Sequence, residues 1–196
     1  MIIGLTGGIA SGKSTISKMI VELKIPVVDA DLIARQVVMP GEMAYNKIVE
    51  AFGEDVIADD HSLDRKKLGT IIFNDEDKRK TLNSIVHPAV RKEMLRQKDD
   101  YLKEHDSVVL DIPLLYESKL THMVDQTLLV YVSADVQLKR LMERDQSSKD
   151  EALSRIQSQI PLSDKKQWAD KVIDNNGTIE ESKKQLIHSL SEWGIL

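Results

Sequence analysis

Apolar residues along this chain switch between two spacings. Short continuous runs, the mark of strands buried on both faces, alternate with stretches in which apolar positions recur every three or four residues, the mark of a helix with one face in a core. Met1-Ile2-Ile3-Gly4-Leu5-Thr6 is the first run, and Ile16, Met19, Ile20 and Leu23 then repeat at helical spacing to about Lys24. Ile25-Pro26-Val27-Val28-Asp29 reads as a second strand with proline near its start, followed by a helix over Leu32-Ile33-Ala34-Arg35-Gln36-Val37-Val38. From Pro40 to His105 the pattern is helical almost throughout. Tyr45, Ile48, Val49 and Phe52 form one stripe that stops at Gly53; Leu68, Ile71 and Ile72 form another in a helix starting at Asp64. After Asn74-Asp75 a third stripe passes through Leu82, Ile85 and Val86 to His87-Pro88, where the proline is expected to interrupt or restart the helix. A long segment through Tyr101-Leu102 completes the region.

Three further apolar runs, Ser107-Val108-Val109-Leu110-Asp111, Thr127-Leu128-Leu129-Val130-Tyr131-Val132 and Lys171-Val172-Ile173-Asp174, read as strands three to five. Between and after them lie a helix with Leu138, Leu141 and Met142 inside, a helix around Lys165 to Ala169, and a terminal helix burying Leu186, Ile187 and Leu190, with Trp193 near its end. Ser148-x-x-Glu151 and Thr178-x-x-Glu181 are capping boxes that open two of these helices. Strands alternating with helices predict an α/β fold, and the residues between the second and third strands form a helical insertion.

The first strand meets the first helix at Gly7-Gly8-Ile9-Ala10-Ser11-Gly12-Lys13-Ser14, with Thr15 directly after, which fits G-x-x-x-x-G-K-[ST]. Triphosphate oxygens require several backbone N–H groups converging on them, and Gly7, Gly8 and Gly12 keep that nest clear of side chains. Lys13, read as lying on an exposed loop, reaches the β- and γ-phosphates, Ser14 offers its hydroxyl to Mg²⁺, and the helix start turns its positive end to the anion. The motif in this setting points to a nucleotide-dependent phosphotransferase. Ligands of open α/β sheets gather beyond the carboxyl ends of strands, so Asp29, Asp31 and Asp111 are candidates for chemistry, although an aspartate there caps a helix equally well. Asp111 ends a buried run as the acid that serves the Mg²⁺ shell does. Arg140 and Arg144 share a helix face and suit a phosphate-covering lid; the same pattern describes a solvated face laced with ion pairs. His87 has no HxH or HExxH partner and reads as a substrate contact before a metal ligand.

Composition narrows the reading. The 196 residues, 41% of them hydrophobic, suffice for one domain with embellishments. A net charge of −5 provides no basic field for a nucleic-acid backbone. No cysteine occurs, which removes disulfides and thiolate metal sites, and no signal peptide or long apolar span is read, so a cytoplasmic protein without membrane or nucleic-acid partners is expected.

The assembled motifs resemble the dephospho-CoA kinase family over nearly the whole chain. They are Gly4-Leu5-Thr6-Gly7-Gly8-Ile9-x-Ser11-Gly12-Lys13-Ser14, Asp29-Ala30-Asp31, Asn83-x-Ile85-Val86-His87-Pro88, Asp111-Ile112-Pro113-Leu114-Leu115-x-Glu117, Arg144-Asp145, Arg155-Ile156-x-x-Gln159 and Ile173-x-Asn175-Asn176-Gly177. One departure is Ala10, where the family often has glycine. The resemblance implies a three-layer fold of the P-loop nucleoside triphosphate hydrolase type with a parallel five-stranded sheet. It divides the chain into a nucleotide core (1–30, 106–138 and 161–196), a helical CoA-binding insertion (about 31–105) and a lid (about 139–160). It implies ATP as donor, Mg²⁺, and the ribose 3′-hydroxyl of dephospho-CoA as acceptor, with the protein a monomer or small homo-oligomer. Lys13, Asp31 and Arg144 become the catalytic candidates. Gly8, Ala10, Ser11, Gly12, Lys13, Ser14, Thr15, Asn175 and Asn176 would hold the nucleotide, the two asparagines bordering adenine. Ser14 and Asp111 would serve the metal, and Asp31, Arg65, His87 and Arg91 the acceptor. A GTPase reading lacks its N-K-x-D element, since Asn46-Lys47-Ile48-Val49 has no acid; another small-molecule kinase, for a nucleoside or sugar acid, and a non-catalytic nucleotide-binding module remain as alternatives.

Overall fold

The computed structural model describes residues 1–73 and 75–196; Asn74, read above as part of a break between helices, lies outside them. Five strands, β1 (Ile2–Gly7), β2 (Val27–Asp29), β3 (Val108–Asp111), β4 (Gln126–Tyr131) and β5 (Lys171–Asp174), form one parallel sheet in the order β2-β3-β1-β4-β5. β1 lies at its centre, pairing Ile3 with Val109 on one side and Leu5 with Leu128 on the other. A strand covered on both faces and both edges must be apolar on both, and Ile3, Leu5, Val108, Val109, Leu110, Leu128, Leu129 and Val130 are fully buried.

The helices are α1 (Lys13–Glu22), α2 (Ala30–Gln36), α3 (Met43–Phe52), α4 (Arg65–Phe73), α5 (Glu76–Tyr101), α6 (Ala134–Asp145), α7 (Lys149–Gln157), α8 (Leu162–Trp168) and α9 (Ile179–Glu192). α1 and α9 cover one face, where Ile16, Met19, Ile20, Leu186 and Leu190 pack on Ile3, Leu5, Leu128, Val130 and Ile173. Leu162 of α8 packs on the other face against Leu129 and Val132, which makes three layers. The register of α9 differs from expectation at one point: Ser182, Leu186, Ser189 and Leu190 form the buried stripe, and Ile187 is 38% exposed. Both capping boxes are present.

The chain separates into two compact units, residues 1–28 with 100–196, and residues 29–99. The second has its own core of Ile48, Val56, Leu63 and Leu68, joined by Tyr45, Phe52, Ile71, Ile72, Leu82, Ile85 and Val86. Pro88 does not interrupt the helix there: α5 runs unbroken for 26 residues through it. Proline's φ is already helical, and what it removes is one bond to the carbonyl of Ser84. Ser84 and Pro88 are both exposed, so that acceptor is on the solvent side, where the loss of one helix bond is tolerated.

Candidate functional site

β1 delivers the chain into the phosphate loop at the carboxyl edge of the sheet, and α1 begins at Lys13. The loop is held from outside by three side chains that each take a main-chain carbonyl. Lys165 Nζ donates to Gly7 O (3.2 Å), Gln137 Nε2 to Ile9 O (2.9 Å) and Asn175 Nδ2 to Ser11 O (2.8 Å). In a trans peptide the C=O and the following N–H point opposite ways. Anchoring the Ile9 and Ser11 carbonyls outward therefore turns the amides of Ala10 and Gly12 to the other side of the loop, and neither has a protein acceptor among the described residues; the Gly7 tie sits where the β1–β4 ladder ends, at the Gly7–Val130 pair. Converging N–H groups of this kind form an anion nest. Gln159 Oε1 adds a fourth tie by accepting from Ile9 N (2.8 Å).

Two loop positions show why side chains are kept small. Gly12 is left-handed (φ 90°), and a Cβ on it would stand 2.1 Å from Asn175 Nδ2. Ala10 is also left-handed (φ 59°), a conformation that glycine adopts without strain. Ser11 Oγ is buried with no partner among the described residues, a hydroxyl inside the loop available to an anion.

At the mouth of the loop Lys13 Nζ meets Asp111 Oδ1 at 2.5 Å, with the lysine side chain 16% and the carboxylate 4% exposed. Lys13 is thus a half-buried partner of a buried acid and does not lie on an open loop, as its sequence position suggested. Ser14 and Thr15 are exposed at the start of α1. The oxygens present suit Mg²⁺, a hard cation that takes one or two protein oxygens and completes its shell with phosphate and water. A hydroxyl at Ser14 and a carboxylate at Asp111 are such a pair. Among the described residues no group of three or more His, Asp or Glu gathers for an all-protein cage.

The two arginines part company. Arg140 Nη1 lies 3.9 Å from the position a Cβ on Gly12 would take, so its guanidinium is at the loop. Arg144 is forked onto Asp145, Nε to Oδ1 at 2.7 Å and Nη2 to Oδ2 at 3.0 Å, and Arg155 of α7 binds the same carboxylate. The hydrogen bonds from Arg144, then those from Arg155, hold the Asp145 carboxyl down to about 2, and Asp145 in turn raises Arg144 above its ordinary value. This trio clasps α6 to α7. Asn175 has both ends of its amide committed, Nδ2 to Ser11 and Oδ1 to the Ser182 hydroxyl at 2.7 Å. Asn176 is exposed, accepts from Ser133 N and donates to Asp174.

In the second unit Asp29 caps α2, its Oδ1 accepting from Leu32 N at 2.9 Å, which leaves Asp31 exposed in the first turn with no protein hydrogen bond among the described residues. A cavity of about 540 Å³ within this unit is lined by Val38, Ile48, Leu68, Ile72 and Val86, with Arg65 among its few polar residues. His87 and Arg91, one turn apart on α5, are exposed and are not part of that lining.

The sequence reading missed Gln137 and Lys165 as parts of the site. Gln137 carried a signal, a polar residue one turn before buried Leu141 on the inner face of α6. Lys165 carried none, sitting in Leu162-Ser163-Asp164-Lys165-Lys166 beside an exposed lysine.

The family model for dephospho-CoA kinase matches residues 1–181. The chain belongs to the dephospho-CoA kinase family. A dephospho-CoA kinase of Oceanobacillus iheyensis is 59% identical over 196 residues, covering 100% of this chain and 98% of that protein. Among solved structures, the dephospho-CoA kinase of Campylobacter jejuni is 29% identical with a TM-score of 0.75, covering 98% of this chain and 96% of that one. A Thermus thermophilus protein is 32% identical with a TM-score of 0.81, covering 98% and 97%. In this member of the dephospho-CoA kinase family, the nest, the Lys13–Asp111 pair and Arg140 stand together at the loop between β1 and α1.

Proposed function

We propose that this chain transfers the γ-phosphoryl group of ATP to the ribose 3′-hydroxyl of dephospho-CoA, giving CoA and ADP in the last step of CoA synthesis. The observation that carries the proposal is the braced phosphate loop with Lys13 and Asp111 at its mouth, in a chain matched by the family model over residues 1–181. Phosphoryl transfer asks the protein for position and charge more than for covalent chemistry. The amides of Ala10 and Gly12 hold the phosphates, and Lys13 neutralises charge on the transferring group. Arg140, beside the loop, is placed to share that work; Arg144 reaches phosphate only by leaving Asp145. Ser14 and Asp111 would hold Mg²⁺, which supplies Lewis-acid charge to the phosphate oxygens.

Asp31 is the candidate to orient the acceptor hydroxyl and take its proton, and its freedom from protein partners suits a group that must face substrate. The apolar cavity of residues 29–99 suits the acceptor's pantetheine arm, with Arg65 for its diphosphate; His87 and Arg91 would serve at most from the exposed face of α5. By this reading residues 31–105 form the acceptor-binding insertion and residues 139–160 the lid. Among the described residues no helix is long and apolar enough to cross a membrane. A cytoplasmic setting, and action as a monomer or small homo-oligomer, belong to the same proposal.

A coupled assay of ADP release with dephospho-CoA, AMP, adenosine, pantetheine and a sugar acid tests it. Acceptor-dependent release with dephospho-CoA alone is expected. Release with another acceptor and none with dephospho-CoA would make this a different small-molecule kinase, and no acceptor-dependent release would leave a nucleotide-binding module.

A further inference from the structure

Lys165 is among the most deeply buried side chains in the protein, with 0% exposure, and the donor site described above uses only one of its contacts. Its ammonium bonds Glu117 Oε1 at 2.6 Å as well as Gly7 O. Glu117 Oε1 also accepts from Ile160 N at 3.1 Å, and Ile160 is the residue after Gln159, whose side chain holds Ile9 N. The other carboxylate oxygen, Oε2, is buried with no partner among the described residues. Three segments converge on this one pair: the exit of β1 into the phosphate loop, the turn after β3, and the chain leaving α7.

Stability does not explain it. Taking a lysine and a glutamate out of water costs about as much as their attraction returns, and apolar residues of like volume usually pack there as well or better. An apolar pair, however, has no donor for the Gly7 carbonyl and no acceptor for the Ile160 amide. Without the first, the Gly7 carbonyl loses its tie at the point where β1 turns into the loop. Without the second, Gln159 loses the anchor that sets where it meets Ile9.

We propose that Lys165, paired with Glu117, is a positioning residue for phosphoryl transfer: it anchors the Gly7 carbonyl where β1 turns into the loop, and through Glu117 and the neighbouring Gln159 it ties the end of α7 to Ile9, which keeps the loop amides in place for the phosphates. The proposal rests on the nucleotide reading of the loop and is independent of which acceptor is used. It therefore predicts an effect on nucleotide binding and on kcat, with the KM for the acceptor unmoved.

The test is the double variant Lys165→Met with Glu117→Leu, which keeps volume and leaves no buried charge alone. Calorimetry with Mg·ADP needs no acceptor, so a failure of the acceptor assignment leaves this measurement standing. The expected result is a folded protein whose Mg·ADP Kd rises about tenfold and whose kcat falls by a similar factor, as a slight misplacement of binding groups produces, while the KM for dephospho-CoA stays within about twofold. A folded double variant with wild-type Kd and kcat overturns the proposal. Glu117→Gln is the second arm, since it keeps the volume and one acceptor oxygen and so preserves the fold. A neutral amide holds Lys165 less firmly than a carboxylate, and the Kd is expected to rise about threefold. An unchanged Kd in this variant overturns the proposal whatever the double variant does. A purely structural pair would lower Tm in both variants and leave the Kd, measured well below Tm, where it was.

Discussion

Lys13 and Asp111 bind each other, and that single contact changes what a mutation reports. Removing Lys13 takes one ion-pair partner from a carboxylate that is 4% exposed, so Lys13→Ala is expected to cost about 1–3 kcal/mol of stability besides lowering kcat by roughly 10²-fold or more. Denaturant unfolding run beside the coupled assay separates the two losses, and wild-type turnover in a folded variant would contradict the role. Ala10 works in the opposite direction. Its left-handed backbone is strained for any residue with a Cβ, and Ala10→Gly relieves that strain while adding freedom to the unfolded chain, for a net gain of about 0–1 kcal/mol with the loop unchanged. A measured loss above about 1 kcal/mol would show that the Ala10 methyl packs usefully. Asp31 belongs to this scale too: Asp31→Asn is expected to lower kcat by roughly 10²-fold with little change in nucleotide affinity, because an orienting base acts mainly in the transition state. Asp29→Asn should leave both kcat and the start of α2 close to wild type, since Asp29 is a helix cap and asparagine keeps the accepting Oδ1.

Among the elements, α6 carries the sharpest division of labour. Gln137 points inward to the loop, Arg140 stands beside Gly12, and Arg144 turns to Asp145 and so to α7. Arg140→Lys is therefore expected to lower kcat more than Arg144→Lys does, because a lysine lacks the planar fork that grips phosphate oxygens. The reverse order would show that the clasp opens and hands Arg144 to the phosphates during turnover. The clasp also has a pH signature. Asp145 has its carboxyl lowered from an ordinary value near 3.8 to about 2. A depressed carboxylate contributes stability that is present above its unfolded value and is lost as pH falls through the folded one. The contribution of the clasp should accordingly fade between about pH 4 and pH 2, and Tm plotted against pH for Asp145→Asn should run flatter than wild type in that window. Parallel curves would mean that Asp145 is not paired in solution. At the element scale the helices were legible in advance from caps and periodicity. Pro88 was misread because a proline's effect depends on whether the carbonyl it orphans can reach water, and exposure is not written in the local sequence.

At the scale of the whole molecule, residues 29–99 have a core and a cavity of their own, and residues 1–28 with 100–196 hold the phosphate loop. Arg65→Ala is expected to raise the KM for dephospho-CoA several-fold with the KM for ATP unchanged, because Arg65 lines that cavity and belongs to the unit that does not hold the phosphate loop. A change in the ATP term alone would remove the cavity from the acceptor's path. The sequence by itself determined the alternation of strands and helices, the phosphate loop, the acids at the strand ends and the family, because each of these depends on spacing within a few residues: period two or continuous burial, period three to four, a glycine where a side chain would block an anion. Tertiary structure alone decided what those residues touch. Gln137, Lys165 and Asn175 reach the loop from 128, 158 and 164 positions away, and nothing near them in the chain distinguishes a lysine that anchors a carbonyl from one that faces water. Long-range partners arise from how the sheet brings β1, the turn after β3, α8 and the end of β5 to one edge, and that convergence is a property of the folded chain.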